Sequence, residues 1–231
     1  ADIGFDYPEE GVYVSRDYCK KYPDKISLIK GEPTGSACGN FSALFEAVDD
    51  DYIMFCDADD MFYNACGLYI IFREIENGGF DSLVSAFIEE SRDPNTKQPL
   101  YINHDMDSTF VHGKIHRRQY LLDDNIRWND ALTIHEDSYF NCLCQRLAKE
   151  LKYSQTPFYL WKWRDGSICR KDPLYVPKTY TRMIYSNSWL VKDFLDRGMV
   201  EEAKYYTAML VYGTYFMLNK PIWLDPMNAQ Y

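Results

Sequence analysis

Three carboxylates stand together in Phe55-Cys56-Asp57-Ala58-Asp59-Asp60, directly after the apolar run Tyr52-Ile53-Met54-Phe55-Cys56. Such a run reads as a strand buried on both faces, and ligands of open α/β sheets gather beyond the carboxyl ends of such strands. Uncompensated carboxylates packed there repel one another until a cation or a proton relieves them. A hard divalent ion, Mg2+ or Mn2+, with a diphosphate completing its shell, meets that need. A solvated acidic turn is the plainer alternative, because D-x-D is common by chance. An EF-hand is excluded, since Met61 and Phe62 fill places that call for an oxygen ligand and a turn glycine.

A second acidic pair lies in Thr133-Ile134-His135-Glu136-Asp137-Ser138-Tyr139-Phe140. It opens like a zinc-protease helix, but Tyr139 stands where H-E-x-x-H needs its second histidine. By charge alone, Glu136 and Asp137 suit the first turn of a helix. His104, His112, His116 and His135 show no metal-ligand spacing. The seven cysteines are scattered without a C-x-x-C pair, which fits reduced, mostly buried thiols and a cytoplasmic protein.

The elements that must hold these groups alternate in the first half of the chain. Ile26–Ile29 reads as a short strand and Gly31–Gly39 as a loop. Phe41, Leu44, Phe45 and Val48 follow helical spacing. Asn64 can cap a helix that Gly78-Gly79 stops, and Leu83–Ile88 reads as another strand. Asp93-Pro94-Asn95 is a turn, and His112–Leu122 a short strand leading into a helix. Glu136–Glu150 reads as a helix and Phe158–Trp163 as a strand. Two amphipathic helices, about Lys178–Arg197 and Val200–Leu218, meet near Gly198. The order implies an α/β fold with a mostly parallel sheet and a C-terminal helical appendage.

With 231 residues, 46% of them hydrophobic, the chain can build a sizeable core. Its formal charge of -10 argues against a surface that grips nucleic acid throughout. No signal peptide opens it. The uncharged stretch Tyr205–Asn219 falls short of the ~20 residues that span a bilayer, so a buried helix is expected there rather than a transmembrane segment.

The run Tyr52–Phe62 resembles the D-x-D segment of family 2 glycosyltransferases, which have a GT-A fold. That family places a G-x-x-x-x-x-N loop and helix before it, and Gly35-Ser36-Ala37-Cys38-Gly39-Asn40 occupies that loop here, one residue shorter and with Gly39 where an Arg is frequent. Asp2-Ile3-Gly4-Phe5-Asp6 sits where the family has D-x-S-x-D, so Asp2 and Asp6 carry over as donor contacts. The family's first strand would precede Ala1. Glu136-Asp137 matches the family's E-D pair. The resemblance makes Asp137 the general base and has Glu136 position it or the acceptor. His135, its neighbour, is either a tuning group or plain structure. Val111–Arg118 resembles a K-x-x-R-R segment, with Lys114 as substrate contact and Arg117 and Arg118 as contacts or solvated charges. Tyr159–Ile168 resembles Y-x-x-R-x-x-S-I, which places Arg164 near the diphosphate and Ser167 near the metal. Trp161 or Trp163 would stack on a sugar or serve as core.

The resemblance thus implies a GT-A-like unit over residues 1–175, lacking its first strand, and a helical appendage over 176–231. It implies an inverting transfer from a nucleotide-diphosphate sugar, a UDP-sugar by default, to an acceptor hydroxyl. Mn2+ or Mg2+ would be held by Asp59 and Asp57, with Asp60 second to them or on the sugar. A nucleotidyltransferase and a non-catalytic nucleotide-sugar-binding protein are the competing readings. The acceptor stays open among a surface glycan, a polyol-phosphate polymer and a modified nucleic acid, and an oligomer is compatible.

Overall fold

The computed structural model of the protein describes residues 8–29, 37–167 and 175–219. Helices α1 (Pro8–Lys21) and α2 (Ala37–Ala47) precede strands β1 (Tyr52–Ile53) and β2 (Met61–Phe62) and helix α3 (Ala65–Asn77). Then come β3 (Ser82–Arg92), β4 (Pro99–His104), β5 (Lys114–Arg117), α4 (Arg118–Asp123), α5 (Glu136–Arg146) and β6 (Leu151–Trp161). Two long helices follow, α6 (Tyr175–Asp196) and α7 (Val200–Leu218).

The strands form one sheet in the order β1-β5-β3-β6-β2, with β4 also on β3. The α/β class, the flanking helices and the C-terminal helix pair stand as expected. The mostly parallel sheet does not: of five pairings among the described residues, only β3–β6 is parallel. The turn after β3 explains one reversal. Asp93 Oδ1 accepts from the Asn95 and Thr96 amides and closes a connection too short for a crossover, so β4 returns antiparallel. Ile26–Ile29 is irregular and has no strand partner among the described residues. Only Tyr52 and Ile53 of the longer apolar run enter the sheet, pairing with Arg117 and His116 of β5 at its edge.

Two clusters fill the space around the sheet. On the α3 side, Ile71, Phe80, Leu83, Phe87, Ile115, Phe158 and Tyr159 pack together. Helix α3 starts where the Asn64 side chain accepts from the Gly67 amide and stops at Gly78, whose φ is +61°. A Cβ on Gly67 would meet Pro157 O at 2.5 Å, so glycine lets this helix lie against β6. On the other side, Trp128 stacks on Phe140 with centroids 4.3 Å apart, and Phe41 stacks on Trp128 at 4.7 Å. Phe55 meets Trp128 and Phe140 edge-on at 5.1 and 5.7 Å. These four rings join α2, the apolar run before the acidic turn, and α5.

Leu190, Phe194 and Ala203 belong to the same cluster, so α6 and α7 share the core around α5. The expectation of a buried helix at Tyr205–Asn219 holds on one side only. Gly213 lies tight against Ile184, whereas Tyr212, Tyr215 and Leu218 are exposed. No helix among the described residues is long and apolar enough to cross a membrane.

Phe140 is the ring common to both acidic segments. Phe140→Ala should therefore destabilise the protein by about 3–5 kcal/mol in urea denaturation, the range for truncating a buried aromatic. A loss below ~1 kcal/mol would show that the ring cluster is not what holds α5.

Candidate active site

The acidic turn is set by its register on β6. Met61 and Phe62 pair with Leu160 and Tyr159, which brings the Tyr159 hydroxyl under residues 57–60. That hydroxyl accepts from the Asp57 amide at 3.2 Å and donates to Asp60 Oδ2 at 2.6 Å. Asp60 Oδ1 accepts from the Lys162 amide at 2.9 Å, and the turn closes through Asp60 N to Asp57 O at 3.1 Å. One phenol thus fixes both ends of the turn.

Burial pushes the Asp57 carboxyl up to about 7, and the charges of Asp60, Asp59 and Glu136 add to it. Burial likewise raises Asp60 to about 6, against the opposing pull of its Tyr159 and Lys162 donors. Asp59 is different. It is exposed and pairs with Arg164 at 2.9 Å.

The start of α5 supplies the second half. Asp137 is raised to about 7, mostly by burial and then by Glu136, while the Ser138 amide and Lys114 favour its charged form. Burial also raises Glu136, whose Oε2 is enclosed without a hydrogen-bond partner. Lys114 is buried, with Nζ 3.6 Å from Asp107 Oδ1. Burial lowers it to about 8, and Asp107 and Asp137 pull it back. Gly113 makes this placement possible. Its φ is +68°, and a Cβ there would lie 3.0 Å from Ser85 O and 3.3 Å from Ala86 O.

Beside the turn lies His112, which sequence spacing did not single out. Its ring stacks on Tyr159 at 4.9 Å and faces Phe110 at 5.6 Å. Its Nδ1 is 3.8 Å from Asp60 Oδ2. Asp57, Asp60 and His112 each offer a ligand atom, and the three atoms lie within 4.8 Å of one another. Tyr159 is the other residue of consequence that the sequence left unweighted. Its role follows from the pairing of Phe62 with Tyr159 across 97 positions, which no local pattern announces.

Of the residues read from the sequence, Asp57, Asp60, Glu136, Asp137 and Lys114 interact electrostatically with one another in this region. Asp59 points to Arg164, and Ser167 is tied by its amide to Arg164 O. Trp161 packs against Phe110 and His112, and the Trp163 ring faces the Arg92 guanidinium. Arg117 binds Asp81, and Arg118 lies over Phe45. His135 caps α5 in the left-handed region, with Nε2 donating to Thr179 O of α6, a bracing role. Asp2 and Asp6 lie outside the described residues. A cavity of about 530 Å³ opens on the other side of α5, lined by His135, Ser138, Arg146, Met183 and Tyr205 but by none of the acidic groups.

Residues 9–141 match the model of glycosyl transferase family 2. The chain belongs to that family. The fold is similar to that of S. aureus TarS residues 1–349 in complex with UDP-GlcNAc, with a TM-score of 0.55 and 17% identity. That match covers 82% of this chain and 56% of the other, so this family 2 chain spans little more than half its length. The same TarS fragment in complex with UDP matches at TM-score 0.51 and 16% identity, covering 82% and 54% of the two chains. A search of curated proteins finds no match in sequence.

The raised carboxyls make this family 2 glycosyl transferase sensitive to pH. Folded Asp57 and Asp137 hold protons up to about 7, so the stability contributed by protonation is present at low pH and lost as pH rises through that value. Below about 6.5 the buried, uncharged His112 and His116 act in the opposite sense, so the carboxyl effect is read above it. In chelator, Tm should fall between about pH 6.5 and 8, and Asp57→Asn should raise it at pH 8 by about 2–4 °C. A native Tm that climbs across this window would contradict the assignment.

Proposed function

We propose that the protein is a divalent-cation-dependent, inverting glycosyltransferase that moves a sugar from a UDP-sugar to an acceptor hydroxyl. The observation that carries this reading is that Phe55 and Phe140, whose rings meet edge-on at 5.7 Å, hold the acidic turn beside the start of α5, where the charge of Glu136 helps raise Asp57. A donor diphosphate held at the turn would leave its sugar facing Asp137. The UDP and UDP-GlcNAc of the TarS structures support the choice of donor.

The donor set fits a cation: clustered carboxyls pushed toward their neutral forms by burial and by one another are the groups that an ion relieves. Asp57 and Asp60 would hold Mn2+ or Mg2+, which when bound offsets the charge that the departing nucleoside diphosphate gains. Asp59 and Ser167 come second. The Asp59–Arg164 pair is exposed and therefore weak, so Arg164 can turn to a diphosphate and release Asp59 toward the ion. Lys114, buried beside Asp107, supplies positive charge that favours the ionised form of Asp137.

Asp137 takes the proton of the acceptor hydroxyl as that oxygen attacks the anomeric carbon, and Glu136 positions it. With Asp137 as base and the acceptor oxygen attacking the anomeric carbon directly, the transfer is a single displacement with inversion. The acceptor is a hydroxyl-bearing molecule; a surface glycan, a polyol-phosphate polymer or a modified nucleic acid each present one. Residues 1–175 would make up the transferase unit and 176–231 the helical appendage, whose Leu190, Phe194 and Ala203 pack into the cluster around α5. The free thiols Cys38, Cys142 and Cys144 fit a cytoplasmic setting.

Release of UDP from UDP-sugars, with and without Mn2+, tests this. Asp137→Asn should lower kcat by about 10²–10⁴-fold and leave donor KM within about threefold, and native kcat/KM should rise with pH through about 7 as Asp137 ionises. Native-like turnover by Asp137→Asn would remove the base, and turnover unaffected by chelator would remove the cation.

A further inference from the structure

We infer that His112 is the third protein ligand of the cation site, binding through Nδ1 beside Asp57 and Asp60, and that this nitrogen favours Mn2+ over Mg2+. The inference rests on the cation site proposed above and adds a ligand from a distant segment of the chain.

The case begins with an orphaned ring nitrogen. His112 is 4% exposed, and its Nδ1 is enclosed with no hydrogen-bond partner. Buried ring nitrogens normally find a partner, and leaving one unmatched costs about 1–3 kcal/mol. Asp60 Oδ2 lies 3.8 Å away, too far for a hydrogen bond. An ion seated among the Asp57, Asp60 and His112 ligand atoms would satisfy all three.

The ring is also held in place. Tyr159 and Phe110 lie near-parallel to it on stacked centroids 4.9 and 5.6 Å away, and Trp161 and Phe87 close the sides. Asp60 is oriented by Tyr159 and Lys162, as outer partners orient a ligating carboxylate. The other three histidines are engaged elsewhere: His104 with Glu89, His116 with Ser82 and His135 with Thr179. An imidazole in an otherwise oxygen donor set suits Mn2+ better than Mg2+, which prefers oxygen and water alone.

The test is Mn2+ binding followed by electron paramagnetic resonance on the full chain. Electron spin-echo modulation of the Mn2+-loaded native protein should show a directly bound nitrogen. H112F, which suits the aromatic box, should lose that signal and bind Mn2+ about 10–100-fold more weakly. Its affinity for Mg2+, read by competition, should change less than about threefold. Absence of nitrogen coupling in the native protein, or native Mn2+ affinity in H112F, overturns the inference, and the first result decides even if H112F does not fold. Failure of the site itself looks different: native protein that takes up no Mn2+, or D57N that binds it normally, overturns both readings.

Discussion

Four carboxyl groups, those of Asp57, Asp60, Glu136 and Asp137, are held partly buried, where Asp57 feels Asp60 and Glu136, and Asp137 feels Glu136. Each would ionise freely in solvent. Burial and mutual repulsion instead hold Asp57, Asp60 and Asp137 well above the ordinary range, which is a standing cost to the folded state. The rest of the structure can be understood as what keeps these groups in place despite that cost, and as what a positively charged occupant would gain by entering.

The opposing forces are apolar and local. Phe41, Phe55, Trp128 and Phe140 bind the acidic turn's approach and the start of α5 into one packed unit. Stacked and edge-on rings of this kind contribute more than their buried area alone. The Tyr159 hydroxyl then fixes the turn from the other face of the chain, and Lys114 is the buried cation that partly balances Asp137. Helices α6 and α7 add Leu190, Phe194 and Ala203 to the same cluster, so the back of α5 is braced by an element outside the family match. Asp59 and Arg164 sit at the solvent edge, where an exchange of partners is cheap.

Much of this was legible in the residues, for identifiable reasons. The apolar run before the carboxylates rightly announced buried side chains at Ile53 and Phe55, though it gives a two-residue strand at the sheet's edge rather than one covered on both faces, and Asn64 and Gly78-Gly79 bracket α3 by local chemistry alone. The E-D pair marked the start of α5. What escaped depended on long-range register. Nothing in D-A-D-D says which carboxylate turns inward, and it is pairing with β6 that encloses Asp60 and leaves Asp59 outside. His112 reaches the turn from a segment some fifty residues away, so no ligand spacing could reveal it. Trp161 was open between sugar and core, and its contacts with Phe110 and His112 place it against the second core cluster. Strand β4 was missed because Pro99 and its exposed side chains lack a buried face.

The account stands or falls on an ion at the acidic turn. Anomalous diffraction at the manganese edge, from crystals grown with Mn2+ and UDP, tests it most directly. The prediction is a strong peak within coordination distance of Asp57 and Asp60, with the diphosphate on its open side and Asp137 facing the same cleft. UDP bound with no ion at the turn, or a manganese peak confined to another part of the surface, would contradict it.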